Sequence, residues 1–128
     1  MVVNPTIIKK VGFDFHWDES KVWKLKIKKE KMDLAKLEWM FYIPFWALPK
    51  GPAYSLKPID VIKHPKKYSK EYKRTMQANL KHPLDIMRNK GRWLMLDGLH
   101  RCVKAKILGY KEIYVRKIPR SAIKSIRP

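Results

Sequence analysis

The most constraining feature of this sequence is an apolar strand that runs directly into a helix. Residues 93–96 (WLML) are continuously apolar and predict a buried strand. Residues 98–108 then repeat apolar side chains at helical spacing, namely Leu99, Cys102, Val103 and Ile107. Gly109 stands where a helix commonly ends. A strand followed at once by an amphipathic helix predicts a sheet with helices packed on it.

The neighbouring segments add strands to this sheet. Residues 84–88 and 92–97 flank Asn89-Lys90-Gly91, which predicts a hairpin. A third strand around Ile113 and Val115 and a closing helix over residues 121–126 follow. The strand, helix, strand order predicts a right-handed parallel crossover. The expected class is therefore α/β (α+β) with a mixed sheet and packed helices.

The amino-terminal half predicts a second hairpin. Apolar side chains alternate with polar ones over residues 11–17 and again over 23–27, with a short link at 18–21. Asp33 is placed to cap a helix that Pro44 ends, and a proline-rich loop fills residues 44–58. A helical turn at 58–62 and a helix from a Ser69 cap to Asn79 follow.

Length and composition limit what the whole chain can be. Its 128 residues have room for one core, so we expect a single domain over residues 1–128. A single cysteine excludes an internal disulfide framework and a Cys-rich zinc module. The longest mostly apolar run, residues 37–48, is shorter than the ~20 residues of a spanning helix. We therefore expect a cytoplasmic location and no membrane partner.

The charge is extreme for this length. Lys and Arg number 30 against 11 Asp and Glu, which gives a net charge of +19. Such an excess favours anionic partners, including nucleic acid. The basic residues are scattered, however, so they indicate no particular groove. A merely solvated surface explains the composition equally well.

The strand-to-helix turn at residues 97–101 is the strongest candidate site. The first turn of a helix has backbone N–H groups without internal partners, and a glycine there permits close approach of an anion. Gly98 supplies the glycine, while His100 and Arg101 add side-chain donors. Asp97 is suited to cap the helix, hold magnesium or accept a proton from a hydroxyl. A tight turn with a surface salt bridge and a structural histidine is the alternative.

The segment 96–119, LDGLHRCVKAKILGYKEIYVRKIP, resembles the signature of the ParB/sulfiredoxin superfamily. Residues 82–86 (HPLDI) are similar to the preceding strand, so the resemblance covers about residues 57–126 and leaves 1–56 unassigned. In that superfamily a D-G-x-H-R turn binds a nucleotide phosphate. The resemblance implies phosphate binding by Gly98, Leu99, His100 and Arg101, with Asp97 near the phosphoacceptor.

Departures from the family pattern narrow the implied chemistry. Leu99 replaces the reactive cysteine of sulfiredoxins, and Cys102 lies on the apolar helix stripe, so sulfinic-acid repair is not expected. Leu99 and His100 also depart from the G-E-R-R box of partition proteins, which argues against CTP-gated clamping. The intact D-G-x-H-R resembles stand-alone domains and free-serine kinases. This implies a nucleotide, ATP or ADP and less readily CTP, with Mg²⁺, in phosphoryl transfer to a small hydroxyl compound.

The sequence leaves two rival functions open. A non-enzymatic DNA- or RNA-binding module would use the net charge of +19 alone. A nuclease ranks last, because no carboxylate or histidine pair suited to two metals is evident. The histidines have no metal-ligand spacing, so no metal site on the protein is predicted.

Three other carboxylates are candidate partners for Asp97. With a two-residue loop at Lys90-Gly91, Asp85 would lie opposite Leu96, so Asp85 and Asp97 would project from opposite faces of the sheet. Glu38 and Asp60 are alternative bases without a spacing argument. The aromatic run at residues 39–46 favours core packing over stacking on a nucleic-acid base.

Overall fold

A four-stranded mixed sheet organises the protein, which has an α+β fold; the computed structural model describes residues 5–128. The strand order is β1-β4-β2-β3. The strands are β1 (Lys29–Asp33), β2 (Leu84–Asn89), β3 (Arg92–Asp97) and β4 (Glu112–Lys117). The α-helices are α1 (Thr6–Lys10), α2 (Glu19–Lys24), α3 (Pro58–Lys63), α4 (Ser69–Met76) and α5 (Leu99–Ile107). Two 3₁₀ helices span Leu34–Tyr42 and Arg120–Ile126.

The carboxyl-terminal hairpin and helix confirm their predictions. β2 and β3 pair antiparallel around a two-residue loop in which both Lys90 and Gly91 have positive φ. That geometry matches the right-handed twist of the flanking strands. Helix α5 follows β3 directly, and Gly109 has a φ of 84° just beyond its end. The predicted and observed elements agree in type and order in this segment.

The predicted parallel crossover was wrong about its partner strand. β4 does run parallel to a strand, but that strand is β2, with Leu84 opposite Val115. β3 lies at the edge of the sheet and is antiparallel to β2. Because Leu84 and Val115 are both fully buried, β4 gains more by inserting between β1 and β2 than by pairing with the edge strand.

The predicted amino-terminal β-hairpin was also wrong. Residues 11–17 are irregular, and the next residues form helix α2, which begins where the Asp18 side chain accepts a hydrogen bond from the Ser20 N–H. Hydrogen-bonded turns follow α1 at residues 11–14, and the apolar side chains of residues 11–17 pack on the sheet without forming a strand; Phe13 is buried there. The strand that does form, β1, pairs with β4 far along the chain.

Apolar clusters cover both faces of the sheet. On one face, α3, α5 and the 3₁₀ helix Leu34–Tyr42 pack on Leu84, Ile86 and Val115. On the other, α2 and the 3₁₀ helix Arg120–Ile126 pack on Met87 and Leu96. The aromatic run confirms its core prediction, since Met40, Phe41 and Trp46 are buried. Within residues 5–128 no helix combines the length and apolar character needed to cross a bilayer.

Two helix boundaries differ from expectation. The helix after Asp33 is 3₁₀, and the Asp33 side chain makes no capping hydrogen bond. Helix α4 begins at Ser69 with Tyr68 in the capping position, and it ends at Met76 rather than at Asn79. Local hydrogen bonding explains the early end, because the Asn79 carboxamide oxygen accepts from the Lys81 N–H in the following turn.

Candidate functional site

Gly98 makes the turn from β3 into α5 possible. Its φ is 115°, a conformation that L residues rarely adopt. A Cβ at this position would lie 2.7 Å from both Leu84 Cδ2 and Arg101 Nη2. No side chain of residues 5–128 caps the start of α5. The turn therefore needs glycine, and it leaves the first helical N–H groups without a side-chain partner.

A cleft of about 550 Å³ opens beside this turn. Of the residues predicted for the site, Asp97 and Arg101 line it. Neither Glu38 nor Asp60 does, and Glu38 instead pairs with Lys106 at 2.7 Å. The remaining lining residues come from three separate segments of the chain: Trp23, then His82, Pro83 and Asp85, and finally Arg116.

Asp97 is held by three neighbours. Its Oδ2 accepts a hydrogen bond from Trp23 Nε1 at 2.7 Å and a longer one from Arg101 Nη2 at 3.3 Å. Glu19 also hydrogen-bonds to Asp97. Partial desolvation, together with the hydrogen bond and the negative charge of Asp97, raises the pKa of Glu19 to about 7. Asp97 is thus tied to α2 on one side and to α5 on the other.

Arg101 keeps spare donor capacity. Its guanidinium lies directly over Gly98, as the contact distances at that glycine show. Its Nε is buried and has no hydrogen-bond partner within residues 5–128. A buried donor without a partner is unfavourable by ~1–3 kcal/mol, so an acceptor brought into the cleft would be bound favourably. Arg101 is the side chain of this site best suited to a ligand oxygen.

Arg116, in contrast, is fully engaged by the protein. Its Nε donates to Asp85 Oδ1 at 2.6 Å, and its two terminal nitrogens donate to the carbonyl oxygens of Leu25 and Val22. The Arg116 and Asp85 side chains are only 13% and 4% exposed. This arginine fastens the end of α2 to the sheet, and each of its three nitrogens already donates one hydrogen bond within the protein.

The predicted separation of Asp85 and Asp97 was wrong. The two-residue loop forms as expected, but the register shifts between Asp85 and Ile86, so that Asp85 pairs with Asp97 and Leu96 is the extra residue. A β-bulge of this kind puts two residues opposite one and reverses the faces beyond it. Both carboxylates therefore line the same cleft.

Leu99 and His100 project away from the cleft. Leu99 lines a different cavity of about 210 Å³ with Phe13 and Trp17. The His100 ring stacks on Trp46 at 4.5 Å, and its Nε2 is 2.7 Å from Glu71 Oε1. Leu99 and His100 can thus serve the cleft only through their backbone N–H groups.

Sequence reasoning missed Glu19, Trp23 and Arg116 at this site. Glu19 and Trp23 fell within the segment predicted as a hairpin, and they precede Asp97 by more than seventy residues. Arg116 sits on β4, whose pairing with β2 was not foreseen. No local pattern marks such residues, because tertiary contacts alone bring them to the cleft.

The described side chains bear on two kinds of chemistry, metal binding and nucleophilic catalysis by a thiol. Residues 5–128 contain no group of three or more His, Cys, Asp or Glu side chains that could hold a metal. Cys102 is fully buried, and burial raises the pKa of its thiol to about 12. A thiolate nucleophile at this position is therefore disfavoured, which agrees with the assignment of Cys102 to the core.

Comparison of the chain with protein-family models, curated protein sequences and solved structures gave no match. Membership of the ParB/sulfiredoxin superfamily stays a prediction from residues 96–119. The class that the fold defines is an α+β domain with a polar cleft at a strand-to-helix turn.

Proposed function

We propose that the cleft binds the phosphate of a nucleotide through Arg101. The observation that carries this proposal is the buried Arg101 Nε, which has no partner within residues 5–128. A guanidinium presents its donors as a planar fork that matches phosphate oxygens. The uncapped start of α5, with the backbone N–H groups of Gly98, Leu99 and His100, adds partial positive charge beside it.

Trp23 gives the cleft an aromatic wall. Its side chain is 59% exposed, while its Nε1 is fixed by Asp97. An indole held by its nitrogen and open on its surface can stack on a nucleobase, which is worth ~1–3 kcal/mol per base. Arg101 for the phosphate and Trp23 for the base favour a nucleotide over inorganic phosphate.

Mg²⁺ would enter with the nucleotide. Asp85 and Asp97 face the cleft, but each already pairs with an arginine. The described side chains form no metal-binding group of their own. The proposed ligand is therefore the magnesium complex of ATP or ADP, with CTP as the third candidate, bound in the cytoplasm.

Phosphoryl transfer to a small hydroxyl compound is the reaction that the D-G-x-H-R resemblance implies. Asp97 is the side chain placed to accept the proton of that hydroxyl. Its Oδ2 accepts hydrogen bonds from Trp23 and Arg101. A phosphate that bound Arg101 would remove one of these donors from Asp97 and leave its carboxylate more able to accept the hydroxyl proton. Nucleotide binding is thus the primary function proposed, and catalysis depends on it.

Isothermal titration with ATP, ADP and CTP, each with and without Mg²⁺, tests this proposal. Arg101→Ala should weaken binding about 10- to 150-fold, the equivalent of ~1.5–3 kcal/mol for a charge-assisted hydrogen bond. Arg74→Ala, an exposed arginine of α4 that does not line the cleft, is the matched control and should bind normally. Absence of heat with all three nucleotides, or equal binding by both variants, would refute nucleotide binding.

A further inference from the structure

The face of the sheet that carries Arg116 is covered by the end of α2 at that residue but is exposed at Lys29, Lys31 and Tyr114 of β1 and β4. Lys31 pairs with Tyr114 and Lys29 with Arg116, so these side chains project from the same face. Lys29 and Lys31 are exposed, and Tyr114 is 45% exposed although it is a large aromatic residue in a strand. We call Lys29, Lys31 and Tyr114 the Tyr114 platform.

The positive charges of this platform are not neutralised. Lys29 Nζ and Lys31 Nζ lie over the Tyr114 ring, 4.8 Å and 5.7 Å from its centre, so a base stacks on the ring only when these amines move aside to its flanking phosphates. Neither amine forms an ion pair with a carboxylate of residues 5–128, whereas five other lysines and arginines do. Asp33 and Glu112 form the adjacent register pair on this face and bound the platform at one end.

A small cavity adjoins the ring. It has a volume of about 170 Å³ and is lined by Tyr114 together with Lys31, Leu80, Tyr110, Glu112 and Ile113. A water molecule occupies ~30 Å³ of liquid, so the cavity exceeds the space of several waters. Its wall combines two exposed tyrosines, two aliphatic side chains, a lysine and one carboxylate, Glu112, and the aromatic and aliphatic groups suit a flat ring.

We propose that the Tyr114 platform binds single-stranded nucleic acid, with an unpaired base stacked on Tyr114 and the flanking phosphates on Lys29 and Lys31. Proteins that bind single strands combine aromatic stacking surfaces with a positively charged track for the backbone. The net charge of +19 supplies attraction to any polyanion. The exposed ring adds a preference for unpaired bases, since a duplex keeps its base faces stacked.

This function is separate from nucleotide binding at the cleft. The platform contains none of the residues that line the cleft, although Tyr114 and cleft-lining Arg116 follow each other on one face of β4. The proposal does not depend on Arg101 or Asp97. Either binding activity can therefore fail without removing the other.

Fluorescence anisotropy with a labelled oligothymidine of about ten nucleotides, carrying no terminal phosphate, tests the platform. Tyr114→Ala should weaken binding about 5- to 150-fold, which corresponds to one lost base stack of ~1–3 kcal/mol at 1.4 kcal/mol per tenfold. Tyr114→Phe keeps the ring and should bind like the unchanged protein. Tyr42→Ala removes an exposed tyrosine outside the platform and is the matched control.

A pair of lysine variants tests the charge without touching the aromatic ring. Lys31→Gln should weaken oligothymidine binding more than Lys66→Gln, which removes the same charge from the exposed segment before α4. Tyr114→Ala should also leave the heat of ATP binding unchanged. No binding at about 50 mM salt, where nonspecific electrostatic binding is strong, overturns the proposal. Equal losses of binding for Tyr114→Ala and Tyr42→Ala would also overturn it. So would a duplex of the same length that binds as tightly as the single strand.

Discussion

Asp85 and Asp97 face each other directly across the β2–β3 hairpin, at the edge of the cleft. Each carboxylate has its own arginine, Arg116 for Asp85 and Arg101 for Asp97. The two pairs differ in kind: the bond from Arg116 is 2.6 Å long and buried, and the contact from Arg101 is 3.3 Å. The first pair holds the fold together, and the second can open for a ligand.

Replacing Asp97 with asparagine should tighten nucleotide binding. The change removes a negative charge that repels phosphate and frees Arg101 Nη2, while an amide oxygen can still accept from Trp23. We expect the dissociation constant for ATP to fall about 2- to 12-fold, the equivalent of ~0.5–1.5 kcal/mol for one hydrogen bond. Isothermal titration measures it, and weaker binding would mean that Asp97 contacts the ligand favourably.

Arg116→Ala should strongly destabilise the fold. It leaves the buried Asp85 carboxylate unpaired and removes the donors to the carbonyls of Val22 and Leu25. Breaking a buried ion pair typically lowers the free energy of unfolding by ~3–5 kcal/mol. Lys106→Ala breaks the more exposed pair with Glu38 and should lower it far less, because solvent screens that pair. Urea denaturation compares them, and similar losses would contradict this account.

Gly98→Ala should cost more stability than Gly91→Ala. Both glycines have positive φ, and an L residue in that conformation lowers the free energy of unfolding by about 1–2 kcal/mol. At Gly91 nothing lies within 4 Å of the added Cβ, whereas at Gly98 the Leu84 side chain lies at 2.7 Å. We expect a further ~1–3 kcal/mol at Gly98 from overpacking. Thermal unfolding of both variants checks the order, and a reversed order would show that the turn can relax.

The Glu19 carboxyl should make the protein less stable as the pH rises from about 4.5 to 7. Its pKa is raised to about 7 in the folded state, above its ordinary value of 4.5, so the folded protein holds this proton more tightly than the unfolded chain. The stabilisation is complete below pH 4.5 and is lost as the pH passes through 7. Glu19→Gln keeps a hydrogen-bond donor toward Asp97 and should flatten this part of the profile. Melting temperatures of both proteins at pH 5 and pH 8 decide the point; parallel profiles would contradict it.

The Cys102 thiol should resist labelling in the native protein. It is fully buried and its pKa is raised to about 12, so almost no thiolate is present at neutral pH. A thiol-reactive chromophore should modify it only as fast as the protein unfolds, and rapidly in denaturant. Fast labelling without denaturant would place Cys102 in an accessible environment and reopen thiol chemistry.

The elements that sequence could predict are those specified by neighbouring residues. The β2–β3 hairpin depends on the loop Lys90-Gly91, and α5 on the spacing of Leu99, Cys102 and Val103, so local chemistry was sufficient. The order of the strands was not predictable in this way. Whether β4 pairs with β2 or with β3 depends on how much apolar surface each arrangement buries, and this is set by tertiary contacts. The Leu96 bulge was also beyond reach, since a one-residue shift has no local signature.

The residues of the candidate site also fall into those specified by local sequence and those specified by tertiary contacts. Asp97 and Arg101 were predicted at the strand-to-helix turn and do line the cleft. The side chain of His100 belongs instead to a pair with Glu71 and a stack on Trp46, both distant in sequence. The alternation of apolar residues over residues 11–17 resembled a strand, but hydrogen-bonded turns at residues 11–14 and packing on the sheet shape this segment instead.

The segment from Val22 to β1 is held by residues far along the chain. Val22 and Leu25 are held by Arg116, Trp23 by Asp97, and β1 by β4. During synthesis, residues 22–33 leave the ribosome long before Arg116 is added. This lysine-rich stretch must therefore wait without its partners until β4 has emerged.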